Sequence, residues 1–178
     1  MIIEDDGFLK QDQMDFVNNI VLQPFFPYFY TPHTVDIGDS LGTLNHILIR
    51  RPEDRKPDEP IHNSDYTQKF VEIFDTFCNK NNIKYKEILR ACVNLTFWNG
   101  LDKCEIHRDH NYKHKQLLIY LNQPLDRNSY TVILDESGKK IKMVQPKQFR
   151  GVCWDGNDHY HHFPKEGARI VAIYTFNE

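Results

Sequence analysis

Two short segments, about fifty residues apart, hold residue types that could do chemistry together. The first is Ile106-His107-Arg108-Asp109. The second runs Trp154-Asp155-Gly156-Asn157-Asp158-His159-Tyr160-His161-His162-Phe163-Pro164 and is followed by Arg169. On an extended backbone, alternate side chains point the same way, so the His107 imidazole and the Asp109 carboxylate can reach one ion. A third ligand must come from elsewhere, and the histidine cluster supplies candidates. If that cluster is extended, His159 and His161 share a face and His162 turns away. Two neutral imidazoles and one carboxylate leave coordination positions open, a donor set suited to Fe(II) that has to accept further ligands. Arg169 opens the apolar run Ile170-Val171-Ala172-Ile173 and offers a planar, permanently charged fork for an anion held beside the metal.

The His-x-Asp pair alone is a weak signal. The chain has nine histidines, and His107, His110 and His114 could equally line a solvated loop. The case therefore depends on the elements that would have to position these groups. Met14, Val17, Ile20 and Val21 recur at helical spacing, which predicts an amphipathic helix over Gln11 to Gln23, ended by Pro24 and Pro27. The aromatic segment Phe25 to Tyr30 is punctuated by proline and reads as buried and extended. Leu44 to Arg50 reads as a strand. Residues 51–60 carry three prolines and many charges and read as a solvated loop. A second helix follows Ser64, with Tyr66, Phe70, Ile73, Phe74 and Phe77 on one stripe.

From Ile88 the pattern turns to strands: Ile88–Phe97, Gln116–Leu121, Tyr130–Leu134, Lys140–Val144, Phe149–Trp154 and Arg169–Phe176, separated by turn residues. Helices first and short strands after predict an α+β protein whose second half is an antiparallel sandwich or barrel. At 178 residues, 40% hydrophobic and 13% aromatic, the chain is expected to form a single domain over 1–178 with its own core. The formal net charge of −3 argues against an electrostatic grip on nucleic acid or on an anionic membrane surface. The longest apolar runs are far short of a membrane span. Cys78, Cys92, Cys104 and Cys153 form no C-x-x-C pair and read as reduced thiols, with a cytoplasmic location expected.

From about Ile88 to Phe176 the ordered pieces resemble the Fe(II)/2-oxoglutarate-dependent oxygenase superfamily, specifically its prolyl-hydroxylase-like and phage-type members. After a strand comes His107-x-Asp109. Next is a hydrophobic strand closing in Tyr-Leu-Asn (Leu117-Leu118-Ile119-Tyr120-Leu121-Asn122), then a hairpin ending in an acid (Thr131-Val132-Ile133-Leu134-Asp135). A Pro-Lys turn (Gln145-Pro146-Lys147) leads to a strand closing in Asp155-Gly156. Last come the distal histidine, Pro164 and Arg169-Ile170-Val171. One departure is Arg127-Asn128-Ser129-Tyr130 where the family usually has a Gly-Gly pair before the hairpin.

The resemblance implies a double-stranded β-helix (a jelly-roll, cupin-like core) with two or three helices of the N-terminal half packed on one sheet. It implies Fe(II) held by His107, Asp109 and a late histidine. Spacing to Arg169 favours His159, with His161 second. It further implies 2-oxoglutarate as cosubstrate, its distal carboxylate on Arg169, and Tyr120 where the family often places a hydroxyl donor to that carboxylate. Tyr120 could equally be a core tyrosine, and Asn94 and Thr96 share a face that could line the pocket. The implied reaction consumes dioxygen, converts 2-oxoglutarate to succinate and carbon dioxide, and oxidises a C–H bond of a peptidyl or small-molecule substrate. The alternatives are a non-catalytic jelly-roll that binds a ligand, or another cupin-like metal enzyme.

Overall fold

The computed structural model describes residues 1–32 and 42–178. Alternation along each strand sends one set of side chains to a helical layer and the other set to a cleft. Strand β4 (Glu87–Phe97) shows the division: Ala91 and Val93 are buried towards the helices, while Arg90, Asn94 and Thr96 line the cleft. Strand β10 (Ala168–Asn177) pairs antiparallel with β4 in the register Arg169↔Thr96, Val171↔Asn94 and Ile173↔Cys92. On its other edge β10 pairs with β5 (Lys115–Tyr120), placing Val171 opposite Tyr120 and Thr175 opposite Gln116.

Around this centre a seven-stranded sheet runs in the order β1-β8-β5-β10-β4-β3-β2, with β1 (Ile2–Asp5), β2 (Phe29–Thr31), β3 (Thr43–Ile49) and β8 (Gly151–Trp154). A smaller antiparallel sheet, β7-β6-β9, faces it, built from β6 (Thr131–Leu134), β7 (Lys140–Val144) and β9 (His159–His161). Among the described residues every pair of neighbouring strands is antiparallel. The result is an α+β protein with a double-stranded β-helix core.

The helical layer covers the far face of the large sheet. Helix α2 (Thr67–Lys80) buries Phe70, Ile73, Phe74 and Phe77, spaced three and four apart as one apolar stripe requires. Phe74 packs on Tyr174 and Phe176 of β10 at ring separations of 5.1 Å. Phe77 meets Phe8 edge-on at 5.0 Å. Beneath them β8 passes so close that a Cβ on Gly151 would lie 2.6 Å from the Phe77 ring, so that position requires glycine. Helix α1 (Gln11–Phe16) docks on α2 through Gln13, whose amide donates to the Glu72 carbonyl (3.2 Å) and to Thr76 (2.9 Å).

Two expectations need correction. The first helix does not stay α-helical to Gln23. From Val17 to Val21 it widens into a π turn, closed by Leu22 N–H donating to the Val17 carbonyl five residues back. The Gln23 side chain takes the Asn18 carbonyl. The aromatic segment is not buried as a whole. Phe26 goes inward, whereas Phe25 is exposed in a turn, and Phe29 and Tyr30 are exposed because residues 29–31 form an edge strand and not an interior one. All four cysteines are buried free thiols. Among the described residues no helix is long and apolar enough to cross a membrane.

Candidate metal centre

His107 and His159 meet because their backbones pair. His107 N–H donates to the His159 carbonyl (3.0 Å) and His159 N–H donates back to His107 (2.9 Å), an antiparallel bridge between the loop before β5 and the short strand β9. Residues directly opposed in such a bridge present their side chains on one side, and the two rings lie 4.4 Å apart. Each Nδ1 is held by a carbonyl two residues back: Glu105 at 2.9 Å for His107 and Asn157 at 3.1 Å for His159. That bond places the proton on Nδ1 of the neutral ring and leaves the Nε2 lone pair free to take an ion. Trp154 supports the His159 ring edge-on at 5.3 Å.

Asp109, two residues after His107, completes the group. One ligand atom from each of His107, Asp109 and His159 lies within 4.8 Å of the others, and His159 Nε2 is 3.7 Å from Asp109 Oδ2. Neighbouring ligands on one octahedral ion sit about 3 Å apart, so small side-chain adjustments close the set. The other carboxylate oxygen, Oδ1, accepts from Arg90 Nη1 (2.6 Å) and Arg51 Nη2 (3.0 Å). Arg51 Nη1 also donates to the Asp109 backbone carbonyl. Burial opposes the charge on Asp109, but Arg90, the two histidines and Arg51 outweigh it and hold the carboxyl well below the usual range.

Of the late histidines, His159 is the one grouped with His107 and Asp109. His161, on the same face of β9, is turned to Cys104, with Nδ1 3.2 Å from its sulfur, and its Nε2 is buried without a partner. It lines the same cleft. His162 stacks edge-on with Tyr130 and Tyr160 instead. His110 and His114, which the sequence could not separate from solvated loop residues, are buried beside the centre, and His110 Nε2 bonds Thr175 at 2.8 Å.

Deeper in the cleft Arg169 is 2% exposed. Its Nη2 donates to Thr131 Oγ1 (2.8 Å), its guanidinium lies over the Tyr120 ring at 5.2 Å, and its Nε has no partner. Among the described residues no carboxylate pairs with it. A buried guanidinium left this way is costly, and an anion bound beside it removes the cost. Tyr120 does not face that anion position directly. Its hydroxyl bonds Thr131 (2.7 Å) and the Val144 carbonyl (3.3 Å), so Thr131 is the hydroxyl that lines the cleft. The cleft encloses about 560 Å³ and runs from Arg169 past His107, Asp109 and His159 to Asn94, Asn45 and Thr31 on the outer strands. Arg51, Arg90, Thr131 and Gln116 were missed in the sequence because single polar residues on strands and loops add no spacing signal.

Protonation gives the centre a pH dependence. Burial disfavours a charged His107, but the Cys104 sulfur and the Asp109 carboxylate win and push its pKa up to about 8. Burial and the His107 charge push His159 down to about 3. Without metal, His107 is therefore protonated below about pH 8 while His159 is already neutral. A metal must displace one proton, so Mn(II) affinity should climb roughly tenfold per pH unit up to about pH 8 and then level off. Calorimetric titration from pH 6 to 9 in buffers of different ionisation heat measures both the slope and the proton released. A flat profile between pH 6 and 8 would refute the assignment.

No family model matches the chain, and no curated protein matches it in sequence. Solved structures do match in shape. An oxidoreductase of the 2OG-Fe(II) oxygenase family from Burkholderia pseudomallei superposes with TM-score 0.76 at 12% identity, over 99% of this chain and 84% of that one. A prolyl hydroxylase from Trichoplax adhaerens, in complex with a hypoxia inducible factor oxygen degradation domain peptide fragment, gives 0.69 at 12% identity over 99% and 83%. The viral collagen prolyl hydroxylase of Paramecium Bursaria Chlorella virus-1, in complex with 2OG, gives 0.56 at 15% identity over 99% and 96%. The chain has the fold of 2-oxoglutarate-dependent oxygenases. At these identities the likeness speaks for the oxygenase fold, and the chemistry rests on the residues of the cleft.

Proposed function

We propose that this chain is a non-heme Fe(II)- and 2-oxoglutarate-dependent dioxygenase that hydroxylates, or otherwise oxidises, a peptidyl or small-molecule substrate. One observation carries the proposal: a two-histidine, one-carboxylate group shares one cleft with a buried arginine that has no carboxylate partner among the described residues. A ligand-binding jelly-roll has no need of the first, and a simple metal hydrolase has no need of the second.

The donor set fits Fe(II). His107 Nε2, His159 Nε2 and Asp109 Oδ2 would hold the ion, and three positions would stay open for exogenous ligands. The bound ion would supply activation of dioxygen, with 2-oxoglutarate as the electron source, leaving succinate and carbon dioxide. The protein's own share is binding and orientation. Arg169 and Thr131 would take the distal carboxylate of 2-oxoglutarate, and Tyr120 holds Thr131 in place. The free Nε2 of His161 lines the same cleft and would donate to or accept from the bound cosubstrate. The outer wall of Thr31, Asn45 and Asn94 would face the substrate. The prolyl hydroxylase seen with a peptide has the same fold and supports a peptidyl substrate as one class to test. Because the cleft draws on residues from Thr31 to Ile173, residues 1–178 would act as one functional domain.

The test is uncoupled turnover. Purified protein with Fe(II), ascorbate and 2-oxoglutarate should form succinate, and omission of either iron or 2-oxoglutarate should stop it. Succinate at the no-iron background, with no thermal shift from Mn(II) plus 2-oxoglutarate, would exclude the enzyme and leave a binding protein.

A further inference from the structure

Arg51 and Arg90 approach the metal centre from two different elements and converge on the same oxygen. Arg90 stands on β4, and its Nη1 reaches Asp109 Oδ1 at 2.6 Å. Arg51 stands on the proline-rich loop, and its fork spans the Asp109 carboxylate (Nη2 to Oδ1, 3.0 Å) and the Asp109 backbone carbonyl. The loop is tied down on both sides of this contact. Arg55 donates to the Arg50 carbonyl (3.1 Å), the Leu89 carbonyl (3.0 Å) and Glu87 (3.1 Å). Glu53 lies 3.4 Å from His110, the residue after Asp109. Residues 51–55 thus form a strap across the metal-ligand segment.

The consequence concerns how many oxygens Asp109 can offer. A carboxylate can give a metal one oxygen or both. Here two charge-assisted hydrogen bonds occupy Oδ1, and these are the strong kind. Oδ2 is left facing His159. We propose that Arg51 and Arg90 are positioning residues that hold Asp109 to one-oxygen coordination and so keep free the metal position on which 2-oxoglutarate must chelate. The inference rests on the dioxygenase function proposed above. Without the two guanidiniums, Asp109 Oδ1 is released. It turns to the metal as a second ligand atom, tightens the metal and competes with the cosubstrate.

The test separates metal binding from cosubstrate binding in Arg51→Met, Arg90→Met and the double variant. Metal affinity is measured with Mn(II) by calorimetry, 2-oxoglutarate affinity on the Mn(II)-loaded protein, and folding of the metal-free protein by thermal melting. Arg51 lies on a loop and a third of its side chain is exposed, so Arg51→Met keeps the test open if Arg90→Met fails to fold. Mn(II) affinity should stay level or rise. The 2-oxoglutarate dissociation constant should rise roughly tenfold in each single variant, the size of effect a lost charge-assisted hydrogen bond produces. The double variant should exceed the product of the singles, because either arginine alone still occupies part of Oδ1. Loss of Mn(II) affinity in Arg51→Met would overturn the inference, since it would make the strap a plain support of the ligand. An unchanged 2-oxoglutarate constant would overturn it as well. If the wild-type protein binds neither Mn(II) nor 2-oxoglutarate, the dioxygenase function itself fails, a result distinct from either of these.

Discussion

His159→Ala should abolish metal-dependent succinate formation, while His161→Ala should keep the metal. The two residues lie on one face of a three-residue strand and differ in what they touch. His159 is backbone-paired with His107, its Nδ1 is fixed by the Asn157 carbonyl, and its Nε2 lies 3.7 Å from Asp109. His161 spends its Nδ1 on Cys104. Removing a supporting partner of a metal ligand typically costs 10–100-fold in affinity, and removing the ligand itself should cost more. Mn(II) binding in His159→Ala should therefore fall by more than about a hundredfold. His161→Ala should stay within about tenfold of wild type for Mn(II), the mild end of the range for a residue that only supports a ligand. Its free Nε2 lines the cleft beside Arg169, so its loss should appear as weaker 2-oxoglutarate binding. The reverse pattern, with metal lost in His161→Ala and kept in His159→Ala, would move the distal ligand two residues along β9.

Arg169→Met should separate stability from cosubstrate binding. Among the described residues the buried guanidinium has only Thr131 and the Tyr120 ring as partners. Replacing such a group by an apolar side chain of similar length removes a desolvation penalty. The melting temperature of the ligand-free variant should stay level or rise. Binding of 2-oxoglutarate should weaken by roughly a hundredfold, since two charge-assisted hydrogen bonds are lost together. Arg169→Lys keeps the charge and loses the planar fork, and it should fall between the two. Mn(II) affinity should be untouched in both. Unaltered 2-oxoglutarate affinity in Arg169→Met would remove the anion clamp and with it the main support for 2-oxoglutarate as cosubstrate.

Much of this centre was legible in the sequence because strand periodicity is a strong constraint. His107 and Asp109 are two residues apart, and so are His159 and His161, so each pair had to share a face wherever the chain was extended. The strands from Ile88 onward were legible for the same reason, and the helix after Ser64 by its three-and-four spacing. What was not legible depended on contacts between distant segments. Nothing local distinguishes Arg51 in a charged loop from its neighbours Arg50 and Arg55, and only the fold brings it to Asp109. Arg90 looks like an ordinary polar position on an alternating strand until the register with β10 places it on the cleft side. That the Tyr120 hydroxyl bonds Thr131 and the Val144 carbonyl, with Thr131 on the cleft wall, was equally invisible before the facing sheet was in place. The aromatic segment misled in the opposite direction. Phe29 and Tyr30 are apolar enough for a core, but they stand on an edge strand and are exposed, as is Phe25 in the turn before it.

The large sheet has a division of labour between its faces. The helix side is packed with Phe, Ile, Val and Tyr, while the cleft side carries Gln116, Thr175, Arg90, Asn94 and Arg169 at positions that an idealised sheet would fill with hydrocarbon. Durability and reactivity therefore reside in different residues of the same strands. Substitutions on the helical side are expected to change how long the molecule survives and to leave the groups of the cleft in place. On the opposite side, greasier replacements are expected to yield a hardier protein whose cleft no longer holds an ion or an anion.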